Sequence, residues 1–236
     1  VMKKEFNIDL NQANYFAGHS LGEYSALTCA NSLPFEEAVC LLYARGKFMQ
    51  EAVPSGKGAM LAVLGLKVEE IIEQINSISI NGTCEIANDN SPGQIVVSGD
   101  KDSIQILQNS LKKKSIRGLI LPVSAPFHCS LMESAEKKMS QKIKELIFKN
   151  PKPPIISNVT AKAENEASKI KELLIKQITS RVNWRESIEY MINNGVNEFI
   201  EIGPGKVLTS LVRRINKEVN VFNINSIDDI TNYINK

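Results

Sequence analysis

Residues 14–27 read Asn-Tyr-Phe-Ala-Gly-His-Ser-Leu-Gly-Glu-Tyr-Ser-Ala-Leu, a Gly-x-Ser-x-Gly pentapeptide set between a short apolar run and an apolar helix pattern. This order constrains the fold more than any other feature of the chain. A strand that runs directly into a helix must turn sharply, and the turn puts Ser20 at a strained tip. Side chains two residues to either side would collide with the backbone, and glycines at Gly18 and Gly22 remove them. Such an elbow aims the Ser20 hydroxyl outward at a helix N-terminus, where free N–H groups and the helix dipole favour a developing oxyanion. The plainer alternative is a glycine-rich strand–helix turn with a capping serine.

The 236 residues suffice for a sizeable core and more than one subdomain. Apolar residues make up 43% and charged residues 23%, as in ordinary soluble enzymes. A net charge of +2 leaves too little surplus to grip a phosphate backbone, so nucleic acid is not an expected partner. No apolar run reaches membrane-spanning length and no signal peptide is recognisable, so no membrane is expected either. Cys29, Cys40, Cys84 and Cys129 lack Cys-x-x-Cys spacing and read as reduced cysteines of an intracellular protein. The opening at Val1, close ahead of the elbow, suggests a fragment or a processed product.

Coarse periodicity gives the order of elements. Residues 14–17 form the strand feeding the elbow, and residues 25–30 continue its helix. Ser32 is the expected N-cap of a helix that starts near Pro34, carries Glu36 and Glu37 in its first turn and runs to about Ala52. Strand 59–64, helix 68–75, strands 84–87 and 94–98, helix 101–113 and strand 118–123 make a ferredoxin-like split βαβ pattern over residues 57–124. Helix 131–148 follows, with Leu131, Ala135, Met139, Ile143, Leu146 and Ile147 as its apolar stripe. Strand 155–159, helices 170–178 and 184–193, strand 198–202, helix 206–217 and strand 219–224 complete the chain. Their alternation implies a parallel sheet covered on both faces, built from residues 1–56 and 125–236.

Ser20 needs a base, and the chain has two histidines. The His19 side chain diverges from that of its neighbour Ser20 and is expected to be packed or hydrogen-bonded in the elbow. His128 follows two prolines in a stiff loop and is assigned as the base, against a role as a helix cap. A third triad member is not evident: Asp89, Asp100 and Asp102 all fall in the insertion, and a backbone carbonyl could orient the imidazole instead. Arg45 interrupts an apolar stripe of Ala38, Leu41, Leu42, Phe48 and Met49, and a buried guanidinium needs an anion. That anion is either Glu37 or another protein carboxylate, or a substrate carboxylate held in a bidentate fork. Helix 206–217 turns Leu208, Leu211, Val212 and Ile215 inward. Its Lys206, Arg213 and Lys217, with Arg214 nearby, form either a solvated face or a surface for an acidic protein.

Five segments together resemble the malonyl-CoA:acyl-carrier-protein transacylase family, the acyltransferases of type II fatty acid biosynthesis. They are residues 18–27, 45–54 (Arg-Gly-Lys-Phe-Met-Gln-Glu-Ala-Val-Pro), 90–94 (Asn-Ser-Pro-Gly-Gln), 122–128 (Pro-Val-Ser-Ala-Pro-Phe-His) and 201–208 (Glu-Ile-Gly-Pro-Gly-Lys-Val-Leu). The resemblance implies an α/β-hydrolase-like core with a ferredoxin-like insertion. It implies Ser20 as the acylated nucleophile, His128 as base, Arg45 as the fork for a malonyl carboxylate and the Leu21 N–H as an oxyanion donor. Gln177 matches the family residue whose backbone carbonyl orients the imidazole. The implied partners are malonyl-CoA and an acidic acyl carrier protein, with no metal or redox cofactor, in a bacterial cytoplasm or a plastid-like stroma. The family also has an N-terminal strand and a Gly-Gln-Gly loop with a second oxyanion donor, and no counterpart stands in these residues. Loss of such a donor costs about 10²–10³ in turnover, so either this polypeptide alone is impaired or the segment lies outside these residues. Competing readings are a polyketide acyltransferase, a serine esterase or thioesterase, and a non-catalytic carrier binder. The bulk of Phe127 opposes a branched acyl group in the first, and Arg45 in the apolar stripe speaks against a generic esterase.

Overall fold

The computed structural model describes residues 1–235, a mixed α/β fold whose strands form three sheets. After α1 (Met2–Phe6), the elbow strand β1 (Phe16–Ala17) leads into α2 (Gly22–Cys29) and α3 (Phe35–Glu51). The next stretch holds β2 (Gly58–Leu64), α4 (Val68–Asn76), β3 (Cys84–Ser91), β4 (Gln94–Asp100), α5 (Lys101–Lys113) and β5 (Arg117–Ile120). It is followed by α6 (Glu133–Glu145), β6 (Ile155–Ile156), β7 (Ala163–Glu164), α7 (Ala167–Lys176) and α8 (Trp184–Asn193). The chain then forms β8 (Glu198–Ile202), α9 (Val207–Ile215), β9 (Asn220–Ile224) and α10 (Ile227–Ile234).

Parallel pairing occurs in two separate places. β1 runs parallel to β6, with Phe16 opposite Ile155 and Ala17 opposite Ile156, and β7 adds an antiparallel edge to β6. β8 and β9 form a second parallel pair. The parallel sheet expected from the alternation of elements is thus split into two separate pairs, and β1 and β6 span two residues each. Tyr24, Leu27, Leu41, Met49, Met139, Ile143 and Leu174, from α2, α3, α6 and α7, form one buried cluster beneath the elbow. Trp184, Ile188, Leu211, Val212 and Val221 form another, which also buries Ile156.

The four middle strands are antiparallel in the order β3-β4-β2-β5. Alternation along β2 sorts its side chains to two faces. Leu61 and Val63 meet Ile71 of α4 and Ile104, Leu107 and Leu111 of α5, while Met60 and Ala62 line the opposite face with Ala87, Val96 and Phe127. That second face supports the loop that carries His128. The contact is close: a Cβ on Gly58 would come within 2.3 Å of the Pro126 ring.

Several local expectations change. Ser32 is not a helix cap; its buried hydroxyl donates to the Lys149 carbonyl at 2.6 Å, and α3 starts after Pro34 without a side-chain cap. The helix expected over 131–148 is a 3₁₀ turn (Ser130–Met132) followed by α6, which ends at Glu145. Beyond it the chain is extended, so Ile147 is exposed rather than part of the stripe. α1, β7 and α10 were not read from the sequence, because short amphipathic or edge segments carry too few periodic positions.

The four-stranded sheet is tied to α8 by main-chain bonds between β3 and Val182 and by a charged contact. Arg185 grips the buried Asp89 carboxylate through Nε and Nη2, at 2.8 Å for the shortest bond, and its Nη1 reaches Glu189. Asp89 is 1% exposed and Arg185 25%. Arg185→Ala strands that carboxylate, so a loss of about 3–5 kcal/mol is expected in urea unfolding. Lys169→Ala, which breaks an exposed pair with Glu172, should change stability by no more than about 0.5 kcal/mol.

Candidate active site

The elbow is strained as its sequence requires. Ser20 has φ 52°, a left-handed conformation that costs a non-glycine residue about 1–2 kcal/mol. A Cβ on Gly18 would lie 1.9 Å from the Gly22 carbonyl oxygen, so only glycine fits there. Gly22 differs from expectation: a Cβ there meets nothing within 4 Å. The clash is one-sided because Gly22 already begins α2, and its Cα–Cβ direction points away from the turn.

A buried side chain holds the strained turn from below. Asn158 accepts the Ser20 N–H on Oδ1 at 2.6 Å and donates from Nδ2 to the Gly18 carbonyl at 2.8 Å, so one amide closes both ends of the elbow. The Asn158 N–H donates in turn to Glu23 Oε2 at 3.0 Å. Leu21, at the N-cap of α2, keeps its N–H free of hydrogen bonds among the described residues, as an anion-receiving group would be.

His128 Nε2 stands 2.7 Å from Ser20 Oγ, and its Nδ1 stands 2.8 Å from the main-chain carbonyl of Gln177. A carbonyl can only accept, so Nδ1 carries the hydrogen and Nε2 is left as the acceptor for the Ser20 hydroxyl. Gln177 can play this part because it caps α7, beyond the last turn of the helix. None of the insertion carboxylates approaches the imidazole. Asp89 is held by Arg185, Asp100 accepts the Thr83 N–H at 2.6 Å, and Asp102 is exposed in the first turn of α5.

Arg45 is 7% exposed and points at the serine. Its Nη2 donates to Ser20 Oγ at 2.9 Å and to Gln177 Oε1 at 3.2 Å, and the guanidinium carbon lies 5.9 Å from the centre of the Tyr24 ring. Among the described residues it has no ion pair, and Glu37, the protein carboxylate suggested by the sequence, does not meet it. Burial lowers the Arg45 pKa, and Tyr24 and Glu23 act against that shift. His128 is pushed down to about 3, first by burial and then by the Arg45 charge. The imidazole is therefore neutral around pH 7 and able to accept a proton.

His19 turns away from the serine: its Nε2 is 2.7 Å from Asn90 Oδ1 and its ring packs at 5.5 Å on Trp184. The helix expected over 206–217 is the shorter α9, whose Leu208, Leu211, Val212 and Ile215 join the buried cluster around Trp184, while Arg213 and Arg214 on it and Lys206 and Lys217 at its ends are exposed. Two central residues escaped the sequence reading, Glu23 and Asn158. The signals were present: a carboxylate one position past the elbow, and a polar residue just beyond the end of a buried parallel strand, where open α/β sheets place their sites.

A buried, neutral imidazole aligned on a serine at a strand–helix elbow defines a site suited to acyl chemistry through a covalent serine. Comparisons with known proteins carry this to a family. The sequence model of the acyl transferase domain matches residues 11–232, and the chain belongs to that family. The malonyl CoA-acyl carrier protein transacylase of Escherichia coli K12 is 44% identical over 200 residues, which are 84% of this chain and 65% of that protein. The chain thus spans a little under two thirds of that relative's length. A crystal structure of the malonyl CoA-acyl carrier protein transacylase from Clostridium perfringens superposes with a TM-score of 0.93 at 39% identity, covering 99% of this chain and 73% of that one. A type II PKS acyl-carrier protein in complex with its malonyl-transacylase matches with a TM-score of 0.91 at 38% identity, covering 94% and 72%.

The elbow geometry predicts opposite outcomes for its two glycines. Gly18→Ala should lower the melting temperature sharply and abolish labelling of Ser20 by a serine-directed fluorophosphonate. Gly22→Ala should leave the fold intact, since glycine at a helix start has no steric duty here.

Glu23 supplies a pH test. Burial raises its pKa from 4.5 to about 7. Its contribution to stability is therefore complete below pH 4.5 and lost as the pH rises through about 7. His128 works the other way: its contribution is present above 6.5 and lost as the pH falls toward about 3. The two oppose each other between pH 4.5 and 6.5. Glu23→Gln removes one of them, so unfolding free energy should climb with pH in that window more steeply by about 1.4 kcal/mol per unit. Urea titrations at a series of pH values measure the slope, and an unchanged slope would mean that Glu23 is ionised in the folded protein at pH 5.

Proposed function

We propose that this chain transfers a malonyl group from malonyl-CoA to the phosphopantetheine thiol of an acyl carrier protein through a malonyl ester of Ser20. The observation that carries the reading is the convergence on Ser20 Oγ of His128 Nε2 at 2.7 Å and the buried Arg45 Nη2 at 2.9 Å. Base and nucleophile alone would suit many hydrolases. A buried cation without an ion pair, beside the nucleophile, suits an acyl group that ends in a carboxylate. The relatives named malonyl transacylases support the same substrate.

In this reading Ser20 Oγ attacks the thioester carbon as His128 Nε2 takes its proton. The Leu21 N–H receives the developing oxyanion. The C–S bond breaks, and the imidazolium returns the proton to the coenzyme A thiolate. The second half repeats the steps with the carrier thiol as nucleophile, so one base serves twice. The Gln177 carbonyl holds the imidazole in the required tautomer throughout.

The fold reading extends likewise. The order β3-β4-β2-β5 with α4 and α5 supports a ferredoxin-like subdomain at residues 57–124, inserted in an α/β-hydrolase-like core of residues 1–56 and 125–236. Among the described residues no helix is long and apolar enough to cross a membrane, which fits a cytoplasmic or stromal setting. The exposed Lys206, Arg213 and Lys217, on α9 and at its two ends, offer an acidic carrier a docking face.

The test is direct. The protein incubated with malonyl-CoA should gain one malonyl mass on residues 18–23 and lose it to a carrier protein bearing phosphopantetheine. Ser20→Ala should show no adduct, and His128→Ala should slow acylation by about 10²–10⁴ while remaining folded. An adduct on a cysteine, or one that persists in Ser20→Ala, would exclude the assignment. Discharge onto a polyketide carrier but not a fatty-acid carrier would redirect the pathway.

A further inference from the structure

Arg45 is already engaged with the atom that must react. Its Nη2 donates to Ser20 Oγ at 2.9 Å, its second bond goes to Gln177 Oε1 at 3.2 Å, and its Nε is buried with no partner. The Ser20 hydroxyl gives its hydrogen to His128 Nε2, so the guanidinium occupies one of the two lone pairs on Oγ. A cationic donor there draws electron density off the attacking oxygen and closes one direction of approach. Bonds of this kind are about twice as strong as neutral ones.

We infer that Arg45 latches the resting serine, and that a carboxylate on the incoming acyl group releases it by drawing the guanidinium off Ser20 Oγ. The inference rests on the proposed malonyl transfer and adds where selection takes place. A plain receptor would favour a carboxylated donor through binding alone. A latch makes the carboxylate change the reactivity of the nucleophile, so discrimination enters the attack step. An uncharged acyl group offers nothing in exchange: freeing Oγ for it leaves a buried guanidinium bonded only to Gln177. The Arg45 charge also depresses the proton affinity of His128, so neutralising it favours nucleophile and base together.

The latch is read with a neutral ester, 4-nitrophenyl acetate. The Oγ–C bond forms, the bond from carbon to 4-nitrophenolate breaks, and the Oγ proton passes to His128 Nε2 and then to solvent. Arg45→Met keeps much of the side-chain length and removes both charge and donors. Its rate of acetyl-Ser20 formation should exceed that of the unaltered protein on the order of tenfold, the worth of one bond to a charged group. Its rate-against-pH profile should also shift to higher apparent pKa, which a purely structural role would not cause. An unchanged or lower rate in folded Arg45→Met would overturn the latch.

The unaltered protein provides a second measurement that needs no variant. Single-turnover acylation at saturating acetyl-CoA should be slower than at saturating malonyl-CoA. Equal saturating rates, with the preference confined to KM, would again overturn the latch while leaving malonyl transfer intact. Failure of malonyl-CoA to label Ser20 at all would instead remove the underlying function, a distinct result.

Discussion

The groups around Ser20 come from distant parts of the chain, and the amide of Gln177 is the contact they share. Its backbone carbonyl receives His128, its side-chain oxygen receives Arg45, and its Nε2 donates to Glu23 at 2.8 Å and to the Ser20 carbonyl at 3.1 Å. Gln177 is fully buried, so each of these bonds replaces one that water would otherwise make. A shift of this residue would disturb the tautomer of His128, the aim of Arg45 and the elbow at the same time. The low dielectric that makes such a network stiff also makes it costly to satisfy only in part.

Arg45 and Glu23, whose carboxyl burial pushes up to about 7, lie close together in the interior but do not pair directly. The Gln177 amide stands between them, giving a hydrogen to the carboxylate and taking one from the guanidinium. This arrangement leaves the guanidinium short of a full counter-ion, with its buried Nε unpartnered. A direct ion pair would have satisfied the cation. The separation leaves the positive field of Arg45 acting on His128.

The position of His128 depends on packing as much as on chemistry. Phe127 is wedged between the elbow-side core and the outer face of the four-stranded sheet, while Pro126 presses against Gly58 at the start of β2. His128 itself has φ 59°, a conformation that persists only where its surroundings impose it. At the β3 edge of the sheet, the Asp89–Arg185 contact and the His19–Asn90 bond tie β3 to α8 and to the elbow. The four-stranded sheet thus acts as a wall that fixes His128 against Ser20.

Local rules in the sequence were enough for the elbow, the serine at its tip and most regular elements. Gly18 announces a backbone collision, and α5, α8 and β8 begin and end where periodicity and turn residues set them. The singular residue types, two histidines and an arginine inside an apolar stripe, also singled out His128 and Arg45. Gln177 was reached through family resemblance, because a main-chain carbonyl leaves no trace in residue identity. Asn158 and Glu23 were missed for a related reason: a buried amide or carboxylate looks like any surface polar residue until its partners are known. The partner of Arg45 was likewise undecided between Glu37 and an external carboxylate. Tertiary structure chose neither for the resting state and set the guanidinium on Ser20 and Gln177, since long-range packing alone determines which polar groups share a dry interior.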